Sequence, residues 1–428
     1  MINKFIIQEI IDTWLSEISK KQIIPRDEVG LLRKYLPYKH IVALSGIRRS
    51  GKTYLFFELI QELIKQQPQN ICYINFEDER FSDGVEQLDL IYKTFLEYKN
   101  PTGKPLFFFD EIQNIKKWEK WLARMYEKDI KFFVSGSNAS LLSSEFSKSL
   151  TGRHKLITIF PLSFYQFVSF KKGKLLKESL NIIENQVKLK RLLQEYTTNG
   201  GLPEIVFESK KDLLMEYYKD ILARDIILRE NIKFKQSLKE IALILLTNIS
   251  RYHSLYSLNK VINARSVNTV KNYLSYLENA YLVFRIPYFT YSLKEQLSNP
   301  FKIYAQDTGL RNTISYNFSQ DLGWLYENIV AIKLLKDYGQ ENIFYWKNDL
   351  SIEVDFLIRK GADIKWLIQV CYQLNEKTKK RELEALIMGR DRLKCNNLLV
   401  VTSEQEGEEF YKKKRVQFIP LWKWLLEK

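Results

Sequence analysis

The segment Gly46-Ile47-Arg48-Arg49-Ser50-Gly51-Lys52-Thr53 constrains this chain more than any other. It fits G-x-x-x-x-G-K-[ST]. The apolar run Ile41-Val42-Ala43-Leu44 precedes it, and the helical pattern Tyr54-Leu55-Phe56-Phe57-Glu58-Leu59-Ile60 continues it. In such a strand, loop and helix, backbone N–H groups curl around phosphate oxygens and the helix N-terminus adds partial positive charge. Gly46 through Tyr54 are therefore the expected phosphate cradle, with ATP and Mg²⁺ as the expected cofactors. Lys52 would reach the β- and γ-phosphates, and the Thr53 hydroxyl would ligate Mg²⁺. The competing reading is a chance glycine turn.

Four more strand-sized apolar runs follow: Ile71-Cys72-Tyr73-Ile74, Leu106-Phe107-Phe108-Phe109, Lys131-Phe132-Phe133-Val134 and Leu156-Ile157-Thr158-Ile159. Nearly continuous apolar character marks strands buried on both faces, and their alternation with helical patterns implies a parallel sheet of βα units. The second run ends in Asp110-Glu111. Asp110 is expected to hold Mg²⁺ and Glu111 to polarise the attacking water as general base, with Gln113 near enough to position it. The bland alternative is an acidic strand end facing solvent. The next run leads to Gly136-Ser137-Asn138, where Asn138 or Ser137 is a candidate reporter on the γ-phosphate and a polar turn is the alternative. Arg153, in Thr151-Gly152-Arg153, is a candidate arginine finger or sensor, against an ordinary surface arginine.

A chain of 428 residues exceeds one ordinary hydrophobic core. The segments expected are a helical lead-in (1–35), the P-loop core (36–160), a helical lid over the nucleotide (161–235), a winged helix (236–292) and a mixed α/β tail (293–428). The 66 Lys and Arg exceed the 51 Asp and Glu by +15. That excess favours an anionic partner, or else describes a lysine-rich solvated surface. Cys72, Cys371 and Cys395 are scattered, as are His40, His154 and His253, so neither a disulfide framework nor a zinc site is expected. With no signal-peptide pattern at the start, the expected setting is cytoplasmic. No apolar run approaches the roughly 18 residues of a membrane span.

In the fourth segment, Leu238, Ile241, Ala242, Leu245 and Leu246 stripe one helix and Leu255–Ile262 forms a second. A polar turn leads to a third, through Val267, Val270, Leu274, Leu277 and Tyr281. The strand Leu282-Val283-Phe284-Arg285-Ile286 follows, which is winged-helix order. Asn268, Thr269, Lys271 and Asn272 face outward on the third helix and are the candidate DNA contacts. A protein-interaction module is the competing reading.

Further short motifs are Pro161-Leu162-Ser163-Phe164, Gly200-Gly201-Leu202-Pro203-Glu204, Asp307-Thr308-Gly309-Leu310, Glu353-Val354-Asp355-Phe356 and Leu421-Trp422-Lys423-Trp424-Leu425-Leu426. With the P-loop, Phe109-Asp110-Glu111-Ile112-Gln113, Ser135-Gly136-Ser137-Asn138 and Gly152-Arg153, the set resembles prokaryotic, especially archaeal, AAA-like ATPases. Those proteins carry a C-terminal domain of unknown function similar to PD-(D/E)XK nucleases. The resemblance implies that Glu327 on a helix and Asp355 on a strand match two metal-binding positions. Gln369-Val370-Cys371 stands where Glu-x-Lys is expected. The implied site of Glu327, Asp355 and Gln369 is therefore degenerate, suited to gripping nucleic acid or to packing. The expectation is a Mg²⁺-dependent ATP-hydrolysing switch or motor acting with DNA. A signalling or scaffolding ATPase with protein-binding modules is the alternative, and an ATP-dependent nuclease is disfavoured. The sequence leaves a protein partner and self-association open.

Overall fold

The structure is a computed structural model that describes residues 2–139, 150–172, 182–315, 322–350 and 352–427. The chain forms two compact units, Met1–Phe160 and Pro161–Lys428.

In the first unit, β1 (Ile41–Ser45), β2 (Ile71–Asn75), β3 (Leu106–Asp110), β4 (Lys131–Gly136) and β5 (His154–Thr158) form a parallel sheet of order β2-β3-β4-β1-β5. Alternate side chains feed two cores, as the period of a strand requires. Ile41, Ala43, Cys72, Ile74, Phe107 and Phe109 enter one core. Val42, Leu44, Tyr73, Phe108 and Phe133 enter the other. Phe108 stacks on Phe133 with ring centroids 4.8 Å apart. The lead-in forms helices Lys4–Lys20 and Val29–Tyr35. They add Ile7, Ile10 and Ile11 to the first core and Ile18, Val29 and Leu32 to the second.

Lys131 opens β4 at the start of the strand and is fully buried. Its Nζ donates to Tyr38 O (2.9 Å) and His40 O (2.5 Å). Burial, reinforced by the Lys104 charge, pushes its pKa down to about 7. The unfolded chain, with an ordinary lysine near ~10.4, binds more protons between those values. Stability from this group therefore rises with pH from about 7 to ~10. Lys131→Met is expected to flatten that rise in urea midpoints taken across the window.

The second unit begins with helices Phe164–Lys172 and Ile183–Asn199. These bury Leu162, Phe164, Phe167 and Leu193 in one core with Ile329, Phe356, Leu399 and Trp422. The segment expected to be a separate lid thus shares its core with the tail. After helical segments Pro203–Glu208, Leu213–Asp220 and Ile221–Leu228 come helices Lys235–Thr247, Leu255–Ile262 and Val267–Asn279, with β6 (Tyr252–His253), β7 (Val283–Ile286) and β8 (Phe301–Ala305) in a sheet of order β6-β8-β7. Tyr281 lies past the end of the third helix, at φ 55. The sheet runs on to Ala305, beyond the boundary expected at 292, because β8 pairs with both other strands.

The tail holds β9 (Ile343–Lys347), β10 (Glu353–Lys360), β11 (Asp363–Cys371), β12 (Leu398–Thr402), β13 (Gly407–Tyr411) and β14 (Lys414–Pro420), in the order β13-β14-β12-β11-β10-β9. Helix Leu322–Tyr338 precedes β9, and helix Glu376–Leu393 joins β11 to its parallel neighbour β12. Lys412 and Lys413 turn the hairpin between β13 and β14, both at positive φ.

Two of the short motifs meet in this unit. Asp307 accepts from Gly201 N (2.7 Å) and Leu310 N (3.0 Å), and Thr308 Oγ1 donates to Tyr196 O (3.2 Å). The Tyr196 hydroxyl donates to Leu162 O at 2.9 Å. A Cβ on Gly309 would collide with the Asn199 carbonyl, which is backbone and has no rotamer to yield. Gly309→Ala is expected to cost about 3 kcal/mol, read as a lowered urea midpoint.

Candidate functional site

Gly46 leaves β1 at φ 147, Arg49 turns at φ 68, and Gly51 at φ 93 caps helix Lys52–Ile64. A Cβ on Gly46 would strike the Ile159 carbonyl, so only glycine fits there. Lys52 is 4% exposed, and its Nζ donates to Gly46 O (3.0 Å) and Ile47 O (3.1 Å), bringing the ammonium over its own loop. Thr53 Oγ1 donates to Asp110 Oδ2 at 2.6 Å. The same carboxylate accepts from the Tyr73 hydroxyl (3.0 Å) and from Ser135 Oγ.

Glu111 sits at φ 52, a left-handed turn out of β3. Its backbone N donates to Ser135 Oγ (3.2 Å), and Gln113 Nε2 donates to its carboxylate. Burial pushes the Glu111 carboxyl above the usual range; Lys52 opposes this and Asp110 adds to it. Ser137 and Asn138 are buried just past β4, the strand between β1 and β3. The fold therefore gathers Gly46, Ile47, Ser50, Gly51, Lys52, Thr53, Asp110, Glu111 and Asn138 at one edge of one sheet. Arg48 is tied to Glu77 at 3.0 Å, while Arg49 and Tyr54 are exposed.

Arg153 is not brought to this edge. Its carbonyl accepts from Ile41 N (3.0 Å) where β1 begins, whereas the loop follows where β1 ends. A strand length of about 13 Å or more separates the two. The guanidinium pairs with Glu127 (3.4 Å) over the Tyr126 ring. Arg153 cannot act as a finger on its own chain's loop, because β5 runs parallel to β1 and Arg153 precedes it.

Arg26 went unnoticed in the sequence. It is 6% exposed; NH1 donates to Ser50 O (2.7 Å), NH2 to Phe160 O (3.1 Å) and to Glu28 (3.3 Å), and its backbone N to Glu58 (3.1 Å). It pins the loop from the lead-in, and nothing in Pro25-Arg26-Asp27 announces that role.

The second set of candidates also assembles. Glu327, on helix Leu322–Tyr338, and Asp355, on β10, both contact Lys302 Nζ, at 2.8 and 3.4 Å. Glu353 pairs with the same ammonium. Gln369 Oε1 accepts from Asp355 N (2.6 Å), and its Nε2 donates to Glu353 O (3.1 Å) and to Glu382. A cavity of about 610 Å³ adjoins the group, lined in part by Glu327, Glu353, Asp355, Gln369 and Glu382. Burial raises the Asp355 and Glu327 carboxyls. Lys302 and Glu382 lie outside the motif pattern and were missed. On helix Val267–Asn279, Asn268, Lys271 and Asn272 are exposed. Thr269 is half-buried, its N and Oγ1 engaged with Ser266 Oγ at the helix cap.

Residues 38–168 match the family described as AAA domain. Residues 190–321 and 322–424 match two domains of unknown function, DUF8612 and DUF4143. An uncharacterized protein of Methanocaldococcus jannaschii is 35% identical, covering 99% of this chain and 96% of its own length. The chain belongs to this AAA-domain family. An uncharacterized protein of Haemophilus influenzae is 28% identical to it, covering 96% of this chain and 100% of its own. A Walker-type ATPase of Pyrococcus abyssi is similar at a TM-score of 0.44 and 16% identity, over 69% of this chain and 99% of that one. Among the described residues, no helix of the AAA-domain protein is long and apolar enough to cross a membrane.

Proposed function

We propose that the AAA unit binds ATP with Mg²⁺ and hydrolyses it, and that the second unit uses the resulting switch on DNA. The observation that carries the reading is the 2.6 Å hydrogen bond between Thr53 Oγ1 and Asp110 Oδ2. A hydroxyl at the loop and a carboxylate at a strand end, already in contact, form the donor set that suits a phosphate-bound Mg²⁺. Thr53 and Asp110 would hold the ion, which would neutralise phosphate charge. Lys52 would exchange its two loop carbonyls for phosphate oxygens. Glu111 would take a proton from the attacking water, with Gln113 fixing the orientation of its carboxylate. Asn138 would sense the terminal phosphate.

DNA is favoured by three concordant features. The order helix, β6, helix, helix, β7, β8, with the short helix Leu293–Ser298 between the last two strands, supports the winged-helix reading, and the third helix exposes Asn268, Lys271 and Asn272. The order helix, β9, β10, β11, helix, β12 supports the PD-(D/E)XK-like reading of the tail. The chain carries a net charge of +15. Duplex DNA is expected to stimulate ATP hydrolysis less as salt rises, and Lys271→Ala is expected to weaken DNA binding and flatten its salt dependence by about one unit of slope. Stimulation unchanged in Lys271→Ala would remove this helix from the interface.

One observation favours a protein partner instead. A groove of about 600 Å³ in the second unit is lined by Met215, Leu222, Leu228 and Leu243, with Lys219 and Lys239 beside them. Hydrolysis indifferent to DNA would shift the reading to that groove.

A further inference from the structure

The cluster around Lys302 holds more negative charge than a buried site tolerates by itself. Glu327, Glu353 and Asp355 converge from a helix and from β10, and Lys302 rises between them from the middle strand of the small sheet. The Lys302 side chain is 4% exposed. Carboxylates out of water must be paired with a cation or take up protons. An ammonium has three N–H donors, and here it faces three carboxylates. Further donors reach the carboxylates from within the chain. Tyr304, two residues along β8, donates to Glu327 Oε1 at 2.7 Å. Tyr252, paired with Lys302 across the sheet, donates to Glu353. Val370 N donates to the second oxygen of Asp355 at 2.9 Å.

A divalent cation held by Glu327 and Asp355 would need their oxygens within about 2.0 to 2.6 Å of one point. The ammonium nitrogen sits against one oxygen of each carboxylate, so a metal bound through those oxygens would have to displace it. Among the described residues, no group of three or more His, Cys, Asp or Glu side chains is arranged to hold a metal ion. We propose that Lys302 is the resident cation of this cluster, that it keeps divalent metal out of the cluster, and that the cluster joins β8 to the tail sheet instead of cleaving DNA. Burial alone would lower the ammonium's pKa, but Glu327, Tyr304, Asp355 and Glu353 together hold it well above the ordinary value. This inference stands apart from the ATP reading, since none of these residues belongs to the P-loop unit.

The test uses the full chain without nucleotide and Mn²⁺ as the probe, followed by electron paramagnetic resonance titration. Wild type and Asp355→Asn are expected to bind Mn²⁺ indistinguishably. Lys302→Met is expected to gain a site that Asp355→Asn removes again. A wild-type site lost in Asp355→Asn would overturn the proposal, as would a folded Lys302→Met that gains none. Should Lys302→Met fail to fold, the wild-type comparison still decides. In that case Lys302→Met combined with Glu327→Gln, which removes one charge of each sign, is expected to recover most of the lost urea midpoint. Absence of any recovery would contradict the charge pairing.

Discussion

Lys52→Ala is expected to weaken ATP binding about 100-fold or more, measured by fluorescent-nucleotide titration in Mg²⁺. The ammonium is buried, and its observed acceptors include two carbonyls of the very loop that would cradle the phosphates. Its removal takes away the positive charge for the β- and γ-phosphates, in a place where little solvent screens the loss. The loop itself should survive. Arg26 still holds Ser50 O, and Gly46 remains packed against Ile159. The variant is therefore expected to keep its thermal midpoint while losing the nucleotide. Undiminished affinity would refute the phosphate assignment of Gly46 to Thr53.

Glu111→Gln should separate binding from chemistry. ATP affinity is expected to stay within a few-fold of wild type while hydrolysis falls by about 10²- to 10⁴-fold, the loss typical when a positioned base is removed. Glutamine keeps the length of the side chain and an oxygen that can still accept from Gln113. What it loses is the capacity to take a proton. The wild-type pH profile carries a second signature. Burial raises the Glu111 carboxyl, with Lys52 opposing and Asp110 reinforcing, so the base is protonated at a higher pH than an ordinary glutamate. The rate is expected to fall as pH drops through that raised value, and the acid limb should vanish in the glutamine variant. Wild-type turnover in Glu111→Gln would remove Glu111 as the base.

The sheet of the AAA unit was legible because each strand is a short apolar run closed by a turn or a helical pattern, and burial on both faces leaves little else for such runs to form. The loop was legible because glycine spacing encodes backbone conformation directly: Gly46 and Gly51 sit at the positive φ their positions demand. What stayed hidden depends on contacts between distant positions. Arg153 read as a candidate finger or sensor because a guanidinium can stabilise charge developing on the γ-phosphate. It opens a parallel strand and thus lies at the other end of the sheet. The apolar stripes of helices Phe164–Lys172 and Ile183–Asn199 announce burial without naming the surface that buries them, and that surface belongs to the tail. Lys302 reads as the polar member of an alternating strand, Phe301-Lys302-Ile303-Tyr304. Only the fold reveals that the polar face of β8 meets three carboxylates. The lysine absent at Cys371, two residues after Gln369, is thus matched by one from another strand, with a different consequence for metal.

The most direct test of the central claim is ATP hydrolysis by the full chain, with and without Mg²⁺, using Thr53→Ala and Asp110→Ala beside wild type. The account predicts Mg²⁺-dependent release of phosphate by wild type and a loss of about 10²-fold or more in each variant, because the two side chains that meet at 2.6 Å would share one ion. Hydrolysis that persists in both variants, or that ignores Mg²⁺, would contradict it.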